Sequence, residues 1–185
     1  MSNKCAVFID GGYLENLLID LKVYRIDFNR LSEKLANGVS LLRTYYYNCL
    51  PFEPDDPQPE DIERMEGKRR FFHALTNLPR YELRLGYAVP RGRDEAGRLL
   101  VQQKGVDVQL AVDLVRLSYL RSIDYACLVA GDGDYTPMVQ TVKDAGVVVK
   151  VFYGDGANSR VADRLLQVCD ERHFIDRNFF DDCRL

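Results

Sequence analysis

Three short apolar runs, Cys5-Ala-Val-Phe-Ile9, Ala126-Cys-Leu-Val-Ala130 and Val147-Val-Val-Lys-Val-Phe152, are near-continuous rather than alternating. Strands covered on both faces read this way. A helical spacing follows each run. Leu14, Leu17, Leu18 and Leu21 recur at i, i+3, i+4 and i+7, as do Tyr135, Met138, Val139 and Val142; Val161, Leu165 and Cys169 recur every four residues. This alternation predicts an α/β fold with a parallel sheet and helices on its faces. Further strands are predicted over 41–49 and 81–89. A helix is predicted over 60–77, with Met65, Phe72 and Leu75 facing inward. Four of the seven prolines fall within 50–60, which predicts an exposed loop. Residues 90–104 read as a flexible basic loop or hairpin. No repeat or linker divides the chain, so residues 1–185 are expected to form one domain.

The helix beginning near Gly105 carries an unusual residue. With Asp107 at 0° and steps of about 100° per residue, Leu110, Ala111 and Leu114 all fall within roughly 60° of it. Asp107 therefore lies on the face expected to meet the sheet, where an unpaired carboxylate is costly. Asp113 falls on the flank near Arg116 and reads as a solvated residue.

Composition narrows the class. Hydrophobic residues make up 46% and charged residues 29% of the 185, as in an ordinary globular domain. No window of 18 apolar residues is present, so a membrane-spanning helix is not expected. The N-terminal apolar run meets Asp10 after five residues, too few for a signal peptide, and a cytoplasmic location is the expectation. Five cysteines form no CxxC pair, and the two histidines, His73 and His173, are far apart. A Cys/His zinc site and a histidine-based triad are both poorly supported. Net charge is −3 overall but uneven: residues 64–104 carry 10 basic and 4 acidic side chains. A local basic wall could hold a phosphate backbone even in an acidic protein.

The acids supply the candidate chemistry. Ligands of parallel α/β sheets bind beyond the carboxyl ends of the strands. Ile9 is followed by Asp10-Gly-Gly, and Ala130 by Gly131-Asp-Gly-Asp134. Thr136-Pro137 reads as an N-cap followed by the first helical residue, which leaves Asp132 and Asp134 free of capping duty. With Asp107, four carboxylates are expected to converge: Asp10, Asp107, Asp132 and Asp134. Like charges held together need a cation, and Mg²⁺ or Mn²⁺ suits an all-oxygen ligand set. Such a centre is chemically adequate for phosphodiester hydrolysis without histidine. Asn158 or Ser159 is expected to cap the last helix, whose N-terminus could bind a phosphate. Arg91, Arg93, Arg98 and Lys104 are candidates for a substrate path, with Tyr87 as a stacking platform.

Three segments, in this order, resemble the NYN domain (also called LabA-like or DUF88): Phe8-Ile-Asp-Gly-Gly-Tyr-Leu14; Lys104-Gly-Val-Asp-Val-Gln-Leu110 with Asp113; and Leu128-Val-Ala-Gly-Asp-Gly-Asp-Tyr135. The closing segment, Ser159 through Asp170 to Phe174-Ile175, is also similar. The resemblance implies a PIN-like, Rossmann-like fold: a three-layer α/β/α sandwich around a mainly parallel central sheet. It also implies a divalent-metal-dependent ribonuclease whose metal-binding acids are Asp10, Asp107, Asp132 and Asp134. Asp113 matches a commonly acidic position of the second motif. The departure is Tyr13, where many members carry Asn; it bears on one polar contact at the metal edge and not on the acids.

The leading expectation is therefore a metal-dependent endoribonuclease, or a nuclease with RNA preference, acting on RNA, including single strands, with no membrane partner. A non-catalytic RNA-binding or regulatory interaction module that keeps the acids is the alternative. Phosphotransferase chemistry at Asp10 ranks below both, because Gly12 occupies the place of a second catalytic Asp. The sequence leaves a homodimer open.

Overall fold

The first apolar run forms β1, Lys4–Asp10, at the centre of a seven-stranded sheet. The computed structural model describes residues 3–93 and 99–185, with the side chains of Arg93 and Leu99 set aside. The other strands are β2 (Ser40–Cys49), β3 (Tyr81–Arg93), β4 (Leu99–Lys104), β5 (Tyr125–Val129), β6 (Val148–Tyr153) and β7 (Glu171–Phe174). Their order is β4-β3-β2-β1-β5-β6-β7, and only the β3–β4 pair is antiparallel.

Successive β1 residues enter two different cores, which is why the run does not alternate. Ala6 and Phe8 pack with Leu110, Leu114, Val139 and Leu165 on one face. Cys5, Val7 and Ile9 pack with Leu14, Leu17, Leu31 and Phe72 on the other. The first face is covered by α4 (Val106–Tyr119), α5 (Thr136–Asp144) and α6 (Asp163–Val168). The second is covered by α1 (Gly11–Asp20), α2 (Phe28–Ala36) and α3 (Pro59–Thr76). The expected three-layer α/β/α sandwich is the observed one.

The helix over 60–77 is observed as α3, with Met65, Phe72 and Leu75 buried. Some elements differ from expectation. Helix α2 escaped the hydrophobic pattern because it is short; Asp27 caps it by accepting from the Asn29 and Arg30 N–H groups. Of the two readings of 90–104, loop or hairpin, the described residues take the hairpin's antiparallel pairing, Tyr87 with Lys104 and Arg93 with Leu99, and Arg98 lies outside the described residues. The last helix is only Asp163–Val168, with Ala162 rather than Asn158 or Ser159 at its N-cap.

Asp113 also reverses its expectation. It is buried, not solvated. Its Oδ2 accepts from the Tyr47 hydroxyl at 3.1 Å and from Arg84 Nε at 3.0 Å, and its Oδ1 accepts from Arg116 at 3.2 Å. The carboxylate thus ties α4 to β2 and β3, and burial beside it holds the Tyr47 phenol well above its usual range. Removing one partner of a buried pair strands the others, although the Arg84 side chain, 31% exposed, softens the loss. Asp113→Ala is expected to cost about 2–3 kcal/mol and to lower Tm by roughly 5–10 °C. Thermal denaturation against exposed Asp55→Ala, expected within about 0.5 kcal/mol of wild type, checks this.

Candidate metal centre at the carboxyl edge of the sheet

Asp10 ends β1 and is the N-cap of α1, its Oδ1 accepting from the Tyr13 N–H at 3.1 Å. The glycine after it is required by space. A Cβ at Gly11 would stand 2.6 Å from both Asn48 Nδ2 and the Tyr46 ring. Any larger residue would push α1, and Asp10 with it, away from β2.

Asp107 is brought to the same edge by two further glycines. Gly105 has φ +84°, a left-handed conformation that turns the chain from β4 into α4. Gly86 lets that turn cross β3: a Cβ there would be 2.3 Å from the Lys104 carbonyl oxygen. Asp107 is exposed rather than pressed on the sheet. The expected inward, sheet-facing placement is not observed; the Asp107 contact is with the Tyr135 hydroxyl at the sheet edge.

Tyr135 joins the two acids. It closes the single 3₁₀ turn Gly133–Tyr135 that follows β5, and its hydroxyl lies 2.8 Å from Asp107 Oδ1 and 3.3 Å from Asp10 Oδ2. One phenolic proton serves one carboxylate at a time. Burial, with the Asp107 charge adding to it, pushes the Asp10 carboxyl up to about 6 from 3.8, against the opposing Tyr13 N–H and Tyr135 hydroxyl. Burial and both carboxylates hold the Tyr135 phenol well above its usual range, so it stays a donor. The sign for stability follows. The folded, metal-free protein binds the Asp10 proton more tightly than the unfolded chain does. The stability this confers is complete below pH about 4 and is lost as pH rises through about 6.

Asp132 and Asp134 sit in the neighbouring loop with other partners. Asp132 does have capping duty: it is the N-cap of the 3₁₀ turn, accepting from the Asp134 N–H at 2.8 Å. Thr136 instead donates its hydroxyl to the Gly133 carbonyl. Asp134 pairs with Arg164, whose side chain lies across Gly133 where a Cβ would meet Nε at 2.0 Å. Two of the four expected acids therefore meet at one hydroxyl and two stand beside them. Among the described residues no group of three or more His, Cys, Asp or Glu side chains is assembled to hold an ion.

The remaining candidates have structural partners. The Tyr13 hydroxyl donates to the Ser159 carbonyl at 2.9 Å and accepts from the Gly154 N–H at 3.1 Å, so it binds a loop and not an acid; burial raises it to about 12. Ser159 and Asn158 were expected at a phosphate site. Both bind Asp20 instead, the Ser159 hydroxyl donating at 2.7 Å and the Asn158 amide at 2.7 Å. The Ser159 bond, with those from Asn158, lowers the Asp20 carboxyl. Arg91 is exposed and bonded to Gln102, Arg93 is placed only as the end of β3, and Lys104 ends β4 beside Gly105. Part of the basic wall is paired: Lys68 with Glu15, Arg64 with Asp61, Arg69 with Glu53 and Arg84 with Asp113.

Sequence reasoning missed the role of Tyr135, which it assigned to a core stripe; its position directly after Gly-Asp-Gly-Asp was the available signal. Nothing in the sequence marked Asp20 or Glu15. The donor set suits a hard divalent cation, since Mg²⁺ is commonly held by one or two carboxylates with waters and substrate phosphates completing the shell. It suits zinc less well, since zinc sites are usually built on histidine or cysteine and neither is among these donors.

Comparison with known proteins agrees with this fold. A protein of unknown function from Vibrio parahaemolyticus, VPA0982, aligns over 100% of this chain and 97% of its own at 19% identity, with a TM-score of 0.66. That likeness bears on the fold alone. A structure from Parabacteroides merdae aligns over 94% of this chain and 31% of its own, at 11% identity and a TM-score of 0.33, and carries no argument. No curated protein matches the sequence. Among the described residues no helix is long and apolar enough to cross a membrane. The family model of the NYN domain, a branch of the PIN-like nuclease superfamily, matches residues 4–177, nearly the whole chain, and the protein belongs to that family.

Proposed function

We propose that the protein is a divalent-metal-dependent ribonuclease, using Mg²⁺ or Mn²⁺ at the carboxyl edge of its sheet. One observation carries this reading: Asp10 from β1 and Asp107 from α4 meet at the single hydroxyl of Tyr135. Two carboxylates sharing one proton leave negative charge that a cation would balance. Asp10 and Asp107 would hold the ion, and Asp132 and Asp134 would complete its surroundings. A bound divalent cation supplies charge neutralisation at a phosphodiester and activation of water. The chain's own residues do the positioning. The Tyr13 N–H fixes the Asp10 carboxylate, Tyr135 holds its proton and aims both acids, and Gly131 and Gly133 let the Tyr13 ring and the Arg164 side chain pack against the loop after β5. Membership of a nuclease superfamily supports RNA as the substrate.

A second reading, a non-catalytic RNA-binding or regulatory interaction module, is favoured by one observation. Arg164 occupies Asp134, which leaves two acids at the Tyr135 hydroxyl. Turnover separates the two readings.

The test is cleavage of RNA with Mn²⁺, Mg²⁺ or EDTA. Asp10→Asn, Asp107→Asn and Asp132→Asn are each expected to lower the Mn²⁺-dependent rate by roughly 100–1,000-fold, the equivalent of several kcal/mol of lost charge stabilisation. Their circular dichroism should match wild type. A folded Asp132→Asn protein cutting RNA at the wild-type rate, or activity that survives complete chelation, contradicts the assignment.

Cation binding should also compete with the Asp10 proton. Because that carboxyl sits at about 6, Mn²⁺ affinity is expected to be flat from pH 7 to 8 and to weaken by about tenfold for each pH unit below about 6. Calorimetric titration of the folded protein across that range reads it. An affinity unchanged down to pH 5 would show that Asp10 is not a ligand.

A further inference from the structure

We infer that the large cleft beside the acid pair is a subsite for one unpaired nucleobase of the strand being cut. The inference rests on the ribonuclease reading above. The cleft is about 890 Å³, the size of a site for a small organic group. It opens one residue beyond the Asp10–Tyr47 pairing: Asn48, next along β2, lines it and abuts Gly11 at the start of α1. Neither Asp10 nor Asp107 lines the cleft; Asn48, packed on Gly11 directly after Asp10, is the link between its occupant and the acids. Phe52 and Pro54 of the proline-rich segment form one wall, and Ala88 and Val101 of the β3–β4 ribbon another.

Charge decides which part of a nucleotide enters. The lining contains three acids, Glu15, Asp56 and Asp61, against two bases, Arg64 and Lys68, for a net charge of −1. Both bases are already matched, Lys68 on Glu15 and Arg64 on Asp61 at 2.8 Å. The Asn48 amide also donates to Glu15, at 2.7 Å. Such a lining repels a phosphate but not an uncharged planar ring, for which half-buried Phe52 offers a stacking face. The base enters, and its phosphate stays outside, on the Asn48 side, where a cation on Asp10 and Asp107 would meet it. A base paired in a duplex has no free face to insert, so the cleft selects unpaired residues.

The test uses the full chain carrying Asp10→Asn, so that binding is read without cleavage. The probe is a single-stranded RNA of about 12 nucleotides with 2-aminopurine near its middle, compared with the same strand in a duplex. Phe52→Ala is expected to weaken single-strand binding by roughly 5–100-fold and to restore the 2-aminopurine emission quenched on binding, whereas Phe52→Tyr keeps both within about twofold. Val101→Glu, on the opposite and partly exposed wall, is expected to give the same loss without relying on the fold of the Phe52 segment. The duplex should bind at least about tenfold more weakly. Equal affinity of a folded Phe52→Ala protein, equal binding of duplex, or no binding of the single strand overturns the subsite. Binding that depends on Phe52 in a wild-type protein without turnover would keep the subsite and sink the ribonuclease reading. Turnover whose KM ignores Phe52→Ala would sink the subsite alone.

Discussion

A phenol has one proton to give, and at this sheet edge two carboxylates ask for it. Tyr135 stands 2.8 Å from one oxygen of Asp107 and 3.3 Å from one of Asp10, and partial burial raises the Asp10 carboxyl. The arrangement is deficient in positive charge by construction. Everything nearby keeps it so: the Asp10 cap on α1, the left-handed turn at Gly105, and the short loop that delivers Tyr135. Arg64, Lys68, Arg69 and Arg84 of the basic stretch are drawn off to other acids rather than to this pair.

The place of the pair in the fold follows from topology. Strand β1 lies between β2 and β5, and the chain leaves β1 and β5 toward opposite faces: α1 packs in one core and α5 in the other. A crevice opens where the connections diverge, beyond the carboxyl ends of the strands. Asp10 and Tyr135 line it from the two divergent connections. Asp107 reaches it from α4, because Gly86 allows the preceding turn to pass over β3. Three segments distant in sequence thus meet through backbone approaches that only glycine permits.

The fold was largely legible because both-face burial writes itself as near-continuous apolar runs, which gave β1, β5 and β6, and because helical spacing follows each of them. Helix α2 and the four-residue edge strand β7 were not legible, since such short elements leave little periodic trace. At the site, Asp10 and Asp107 were legible as acids out of place in an apolar pattern. The depth of each acid was not. A helical wheel gives azimuth but not height, so exposed Asp107 and buried Asp113 exchanged their expected environments. The partners of Asp134, Asn158 and Ser159 depend on Arg164 and Asp20, which no local spacing could assign. Tyr13 shows the same limit: its hydroxyl is spent on the Gly154 and Ser159 backbone, a role visible only in three dimensions.

The central claim, that Asp10 and Asp107 share one cation beside Tyr135, is tested most directly by anomalous diffraction from crystals soaked in Mn²⁺ near pH 7.5. The account predicts a manganese peak within about 2.0–2.4 Å of a carboxylate oxygen of each residue, as hard-cation coordination requires. Full occupancy elsewhere on the molecule, with no peak between these two carboxylates, would contradict it.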